Sequence, residues 1–590
     1  TFTDLVVADA AGRLICLAKA PSQPQNPDRG VLRALERAAA ALGVDAGALL
    51  GGCGRFVHGS TVATNALLTR QGAKVGLLVT RGFRDSLSFR RGIRDHVWDH
   101  RAPNPPVLAE RHLRLPVGGR IGRDGAEFAP LEEADVCAAA EEFAREGVEA
   151  AAVCFFNSYL NGTHEERAGG ILRSLLPEIP VILSSRVAPI MGEYERSSTA
   201  AMNAYIAPRT TAYLERLEET LRGMGYSGPF LLMQSNSGMA TVEHCRFLPA
   251  ALILSGPAAG AAAGGIYATA CGFQDAVFFD MGGTSADVTL LREGRPGMVD
   301  QSVVGGYHAS LPAVEVHTIG TGGGTLAWVD AGGGLRVGPQ SAGAEPGPAS
   351  YGKGGSEPTV TDAHLLLGRL DPCGLLDGEL PLSVEQAEEA IRRNTAGSLG
   401  MEVKEAAAGI IRIANRQMAG AVQTICARHG ADPRRMALIA GGGAGGLSAS
   451  AVARICGMAT VIVPREAACA CAVGMVGNAV RYDRLKSRQF RLVEMDAESL
   501  NGELAALHEE IRAEIKGARG DPGRFAYTLA IDMRYPGQAW YLTVEVEPPL
   551  ADDAPETMAK RFHALHEETY GHHRPAEPVE VTGFRVRAEE

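Results

Sequence analysis

The chain has 590 residues, 46% of them hydrophobic and 21% charged, with a formal net charge of -11. That length and apolar share belong to a folded protein of several domains, and the acidic balance without a basic cluster argues against nucleic acid or an anionic membrane surface as partner. No stretch approaches the ~20 uninterrupted apolar residues of a membrane span, no charged-then-apolar leader opens the chain, and the 11 cysteines are scattered and odd in number, as expected of reduced thiols in the cytoplasm.

The chain opens Thr1-Phe2-Thr3-Asp4-Leu5-Val6-Val7-Ala8, a strand that closes at the charged glycine turn Asp9 to Arg13 and is followed by a second strand. Pro21 to Pro27 connects this pair to a helix whose apolar positions are Leu32, Leu35, Ala39 and Leu42. Arg55 to His58 reads as a strand, and His58 is a candidate contact to substrate, with a satisfied structural histidine as the plainer alternative. Val75 to Val79 is a fully apolar strand. Asp95-His96-Val97-Trp98-Asp99-His100 is the densest ligand-type cluster; in a helix His96 and His100 share a face, but no third ligand can be named, so a solvated rim is expected. Ala150 to Phe156 is another buried strand. Glu193-Tyr194-Glu195-Arg196-Ser197 opens a long helix running past Tyr213 and Leu217, and Leu231 to Gly238 is a strand with a polar end, where doubly wound sheets place ligand contacts.

The centre of the chain is Val277-Phe278-Phe279-Asp280-Met281-Gly282-Gly283-Thr284-Ser285-Ala286-Asp287-Val288. Two apolar runs separated by glycines predict a hairpin of buried strands. With no side chains at Gly282 and Gly283, backbone N–H groups can approach an anion, and Thr284 and Ser285 add hydroxyls; Asp280 is the hard oxygen ligand that Mg²⁺ on a nucleotide needs. Thr284-x-x-Asp287 repeats Thr1-x-x-Asp4, each opening an apolar strand, which points to internal duplication. The first copy has no strand before its Thr, so roughly ten residues, one ordinary strand, are expected upstream of Thr1. Gly305 to Gly355 is glycine-rich and is read as an ordered region over a cleft; just inside it, Glu315 and His317 alternate with valines and are candidates for substrate or metal contact. Ala406 to Ala427 predicts a long amphipathic helix, followed by a strand and the loop Gly441-Gly442-Gly443-Ala444-Gly445. Cys469-Ala470-Cys471 sits among alanines and is read as small-residue packing. Past Leu492 the composition turns to charged helices and strands, with His563, His566, His572 and His573 read as an exposed helix rim rather than a metal site.

These motifs resemble the A subunit of the hydantoinase/oxoprolinase family, whose members begin D-x-G-G-T-F-T-D and carry D-M-G-G-T-S-x-D-V in mid-chain. The likeness includes His58-Gly59-Ser60-Thr61, Glu193-Tyr194-Glu195-Arg196, Ser255-Gly256-Pro257-Ala258, Thr321-Gly322-Gly323-Gly324 and Arg534-Tyr535-Pro536-Gly537-Gln538. The resemblance implies an α/β fold, an actin-like ATPase core of two ribonuclease-H-like lobes with a small α+β C-terminal domain, divided near 1–185, 186–485 and 486–590. It implies ATP and Mg²⁺ as cofactors, a small cyclic amide such as a hydantoin, 5-oxoproline or a lactam as substrate, and a B subunit as partner in a hetero-oligomer. Within it Asp280 is assigned to Mg²⁺ and catalysis; Thr1, Thr3, Asp4, Gly282, Gly283, Thr284, Ser285 and Asp287 to the phosphates; Gly441, Gly442, Gly443 and Gly445 to adenosine; and His58, Glu315 and His317 to the substrate side. The alternatives are an ATP-using subunit of an acetone- or acetophenone-type carboxylase, and a nucleotide-switched binding protein without substrate chemistry. Family members usually run past residue 590.

Overall fold

The computed structural model describes residues 2–23, 26–92, 94, 97–375 and 378–590. Thr1, Asp95 and His96 therefore lie outside the described residues.

The first two strands, β1 (Phe2–Ala8) and β2 (Leu14–Pro21), form an antiparallel pair in which Asp4 stands opposite Lys19. Helix α1 (Pro27–Ala41) buries Val31, Leu35 and Ala38 beneath them. Strand β3 (Phe56–His58) belongs to a separate small sheet. A four-stranded parallel sheet follows, in the order β5 (Arg114–Val117), β4 (Val75–Thr80), β6 (Ala150–Cys154), β7 (Val181–Leu183). Every residue of β4 and β6 is buried, the expected state of parallel strands covered on both faces. The 31-residue helix α2 (Glu193–Gly223) is tied to the end of β6 by Arg196, whose buried guanidinium donates to the Phe155 carbonyl at 2.8 Å and the Ser158 hydroxyl at 3.0 Å and pairs with Glu193 at 2.8 Å. The conspicuous charges of this helix start are thus an internal strut. Strand β8 (Phe230–Met233) runs parallel to β3 and antiparallel to β9 (Met239–Thr241).

Helix α3 (Ser255–Ala270) leads into the central sheet. Here β10 (Ala276–Met281) and β11 (Ala286–Arg292) form the predicted hairpin; β12 (Arg295–Pro296) and β13 (His317–Ile319) pair with β11. On the other side β14 (Ala437–Gly441) lies parallel to β10, and β15 (Thr460–Ile462) lies parallel to β14. Side chains alternate between faces along a strand, and the two faces have separate cores. Val277, Phe279 and Val288 pack with Ile410, Ala414 and Met418 of the long helix α4 (Val403–Arg428). Ala276, Phe278 and Leu291 pack with Ala263 and Ala268 of α3 and with Ala470, the first residue of α6 (Ala470–Val476); α5 (Gly442–Cys456) lies between β14 and β15 in sequence. Asp280 and Asp287 fall on the α3/α6 face.

The chain ends in an antiparallel sheet ordered β16 (Arg481–Arg491), β19 (Glu580–Glu589), β17 (Ala526–Arg534), β18 (Leu542–Val546), packed with α7 (Ala497–Gly517) and α8 (Ala554–Tyr570) around Leu504, Ile511, Ile531, Phe562 and Phe584. Arg585 joins it to the preceding segment through Asp300 at 2.5 Å and holds Asp532 at 2.7 Å. The molecule is mixed α/β, and none of its described helices is long and apolar enough to cross a membrane.

Candidate functional site

The hairpin tip is closed by one bond, from the Gly282 amide to the Ser285 carbonyl at 3.1 Å. The next three amides, Gly283, Thr284 and Ser285, donate to nothing among the described residues, and the Thr284 and Ser285 hydroxyls are likewise unengaged. Gly282, Gly283 and Thr284 are exposed and Ser285 is half-buried with the Gly322 backbone close to its amide; three consecutive unbonded N–H groups and two hydroxyls are the composition of an anion cradle. From behind, the glycine-rich segment holds the tip in shape: Gly323 N donates to the Gly282 carbonyl at 3.0 Å and Gly324 N to the Gly283 carbonyl at 2.6 Å. That segment is itself fixed, because Thr321 donates its hydroxyl to Gln417 of α4 at 2.8 Å and Thr361 donates to the Gly323 carbonyl at 2.8 Å.

Asp280 and Asp287 are cross-strand neighbours on this hairpin, and both are half-buried. Burial raises the Asp280 pKa, a hydrogen bond from the Cys471 thiol at 3.2 Å opposes the rise, the negative charge of Asp4 adds to it and the positive charge of Lys19 subtracts. Burial pushes Asp287 up to about 6, against a hydrogen bond from the Thr318 hydroxyl at 2.6 Å. Asp4 belongs to the first hairpin, where it forms an ion pair with Lys19; the same ammonium reaches the Ala468 carbonyl at 3.3 Å, in the turn that leads into α6. The first hairpin thus comes near the second: Lys19 reaches the turn before Cys471, Cys471 bonds Asp280, and burial first, then the charges of Asp280, Asp4 and Asp287, hold that thiol well above its ordinary pKa. Thr3 points the other way, sharing a hydrogen bond with the Ser22 hydroxyl at 3.0 Å.

The third element is the turn from β14 into α5. Gly441 stands opposite Asp280 in the parallel register, and Gly442 has φ +76° with so little room that a Cβ there would lie 2.3 Å from Asp280 Oδ1. Only glycine satisfies both conditions. The first amides of a helix lack intrahelical acceptors and form its positive end, and Gly443 is exposed there. Gly441 and Gly445 are buried instead, the first against the Phe278 ring and the second against the backbone of β10, so of the four predicted glycines two line the approach and two allow close packing.

The remaining candidates are not brought to this cluster. His58 shares a 2.8 Å hydrogen bond with the Tyr213 hydroxyl and packs on Phe230, and burial lowers its pKa to about 4. Glu315 bonds His429 at 2.6 Å, beyond the C-terminus of α4, and His317, opposite Val288, lies on the α4 face of the sheet rather than the Asp280 face. In the C-terminal unit the predicted exposed rim is corrected in one place. His566 is buried, sharing a 2.6 Å bond with the His572 carbonyl, and His563 bonds the Tyr535 hydroxyl at 2.7 Å; the tyrosine ring draws the helix face inward. Among the described residues no group of three or more His, Cys, Asp or Glu is arranged to hold a metal ion by itself. Sequence reasoning missed Lys19, Cys471, Thr318 and Gln417. Counting across the Asp9–Arg13 turn could have paired Lys19 with Asp4; nothing local marks Cys471, whose partner is 191 residues away.

Unbonded amides, a helix N-terminus and half-buried carboxylates in neighbouring turns suit a polyanion together with a hard divalent cation, which takes one or two carboxylates and completes its shell with water and phosphate oxygens. Comparison with known proteins agrees in scale and order. The family model described as hydantoinase/oxoprolinase matches residues 196–484, and that for the hydantoinase/oxoprolinase N-terminal region matches residues 1–176. Caprolactamase subunit alpha of Pseudomonas jessenii is 39% identical over 591 residues, covering 99% of this chain and 85% of that one. The acetophenone carboxylase gamma subunit of Aromatoleum aromaticum is 33% identical over 561 residues, covering 91% and 76%. The crystal structure of ATP-dependent caprolactamase from Pseudomonas jessenii superposes with a TM-score of 0.87 at 38% identity, over 100% of this chain and 86% of that one. The chain belongs to the hydantoinase/oxoprolinase family.

Proposed function

We propose that this chain is the ATP-using subunit of an ATP-dependent cyclic amide hydrolase, acting on a lactam, 5-oxoproline or hydantoin ring. The observation that carries the reading is the set of contacts that links the hairpins, Asp4 to Lys19, Lys19 to the Ala468 carbonyl and Cys471 to Asp280, which stands opposite Asp287, together with three unbonded amides at the Gly283–Ser285 tip. An amide carbonyl is a poor electrophile; transfer of the ATP γ-phosphoryl group to its oxygen releases ADP and leaves a carbon that water can attack. In phosphoryl transfer the protein contributes positioning and charge neutralisation. The Gly283, Thr284 and Ser285 amides and the two hydroxyls bind phosphate oxygens, the start of α5 meets the nucleotide at Gly442 and Gly443, and Asp280 orients the attacking group. Asp280 and Asp287 would also hold Mg²⁺, which neutralises phosphate charge when bound. The Cys471 thiol donates a hydrogen bond to the Asp280 carboxylate and helps to orient it.

The internal repeat supports an actin-like arrangement in which lobes near 1–185 and 186–485 close on the nucleotide and 486–590 form a C-terminal unit. A relative named as a subunit supports a hetero-oligomer with a second subunit that completes the amide site. The test supplies the chain and its partner subunit with Mg²⁺, ATP and ε-caprolactam, 5-oxoproline or hydantoin in turn. One of these rings is expected to open with ADP formed one for one; ring opening without ATP, or ATP hydrolysis indifferent to every ring, would refute the reading. The acetophenone carboxylase relative supports a second use of the same site, activation of a ketone or bicarbonate, which the same assay detects as ADP release requiring ketone plus bicarbonate.

A further inference from the structure

We propose that Lys19 is a phosphate ligand held in reserve: its ammonium is stored on Asp4 and the Ala468 carbonyl, and passes to the nucleotide phosphates when ATP enters. The inference rests on the nucleotide reading above and adds the cation which that reading lacks. As it stands the site is rich in negative charge, with Asp280 bonded to the Cys471 thiol, Asp287 opposite it across the hairpin and the charge of Asp4 acting on Asp280, and a triphosphate entering it needs positive charge in addition to neutral amides. Among the described residues Lys19 is the cation whose charge acts on Asp280. Its position is intermediate in the useful sense: it stands on β2, pairs with Asp4 on β1, and reaches the Ala468 carbonyl at 3.3 Å, three residues before the cysteine that holds Asp280. The ammonium also lies 5.2 Å from the centroid of the Phe2 ring, and the lysine side chain keeps 24% of its surface exposed. A partly exposed ion pair is a weak one, so exchanging its carboxylate for a phosphate oxygen costs little. A compact ammonium on a flexible four-carbon stem is suited to that exchange, since it needs no fixed fork geometry.

Equilibrium binding of ATP, ADP and adenosine to the intact chain in Mg²⁺ tests this. Lys19→Gln is expected to weaken ATP and ADP about 10-fold or more, the scale of a hydrogen bond to a charged group, while adenosine binds as before; Lys19→Arg is expected to recover most of the loss. A strut between β2 and Ala468 would behave differently, weakening all three ligands in parallel or none of them, and either pattern overturns the proposal. A wild-type chain that binds neither ATP nor ADP overturns the nucleotide reading as well, whereas wild-type binding with Lys19→Gln unchanged overturns this inference alone. Acetic anhydride labelling of the wild-type chain, read by mass spectrometry, asks the same without a substitution that could disturb folding. ATP and ADP are expected to shield Lys19 and adenosine to leave it reactive; equal labelling under all three contradicts the proposal.

Discussion

Burial pushes the Asp280 carboxyl above its ordinary range, which means the folded chain carries this charge at some loss of stability. Asp280→Asn is therefore expected to keep or slightly raise resistance to urea at pH 7 while lowering amide-dependent ADP release by about 10²-fold or more. Loss of folding together with activity would instead make Asp280 a structural residue. His364 provides an independent reading of burial: it is buried in α-helical surroundings and its pKa falls from 6.5 to about 4 through desolvation. Between those values the unfolded chain binds a proton that the folded chain does not. Stability from this site is thus full above about pH 6.5, is lost as pH falls toward 4, and changes no further below that, a total of ~3 kcal/mol at ~1.4 kcal/mol per pH unit. His364→Phe is expected to flatten that part of the stability profile in urea titrations between pH 7.5 and 4; an unaltered slope would exclude His364 as its source.

At the level of elements, much of this architecture was legible from local pattern. The glycine pair between two apolar runs specified the β10/β11 hairpin, and the fully apolar spacing of Val75 to Val79 specified a strand buried on both faces. Period-2 alternation also explains why His317 misses the site, since it places that residue on the face of β13 that meets α4, while Glu315, before β13, bonds His429 instead; from the sequence alone either face was open. What could not be read was contact between distant segments. The run Cys469-Ala470-Cys471 looks like filler, yet α6 packs on α3 so tightly that a Cβ at Gly474 would lie 1.9 Å from the Ala259 carbonyl, and this closeness delivers Cys471 to Asp280. Gly474→Ala is accordingly expected to force the two helices apart, costing about 1–3 kcal/mol in denaturant unfolding and lowering amide-dependent ADP release with it. Unchanged stability would show that the contact is soft and that Cys471 is placed by something else.

At the level of the whole molecule, three segments far apart in sequence, β1/β2, β10/β11 and the β14–α5 turn, are linked through Lys19 and Ala468, Cys471 and Asp280, and the close approach of Gly442 to Asp280. The glycine-rich segment and α4 hold the central tip in place through Thr321 and Gln417, and the C-terminal unit is fastened elsewhere, at Asp300. The sequence carried the three segments as separate motifs; their meeting depends on packing between segments distant in sequence, which no local pattern encodes. The most direct measurement is amide hydrogen exchange of the chain with and without saturating ATP and Mg²⁺. Exchange is predicted to slow together in residues 2–8, 276–291 and 436–447, with the Gly283–Ser285 amides most affected. Saturable ATP binding that slows only one of these segments, or none, would contradict a nucleotide gripped between the two hairpins.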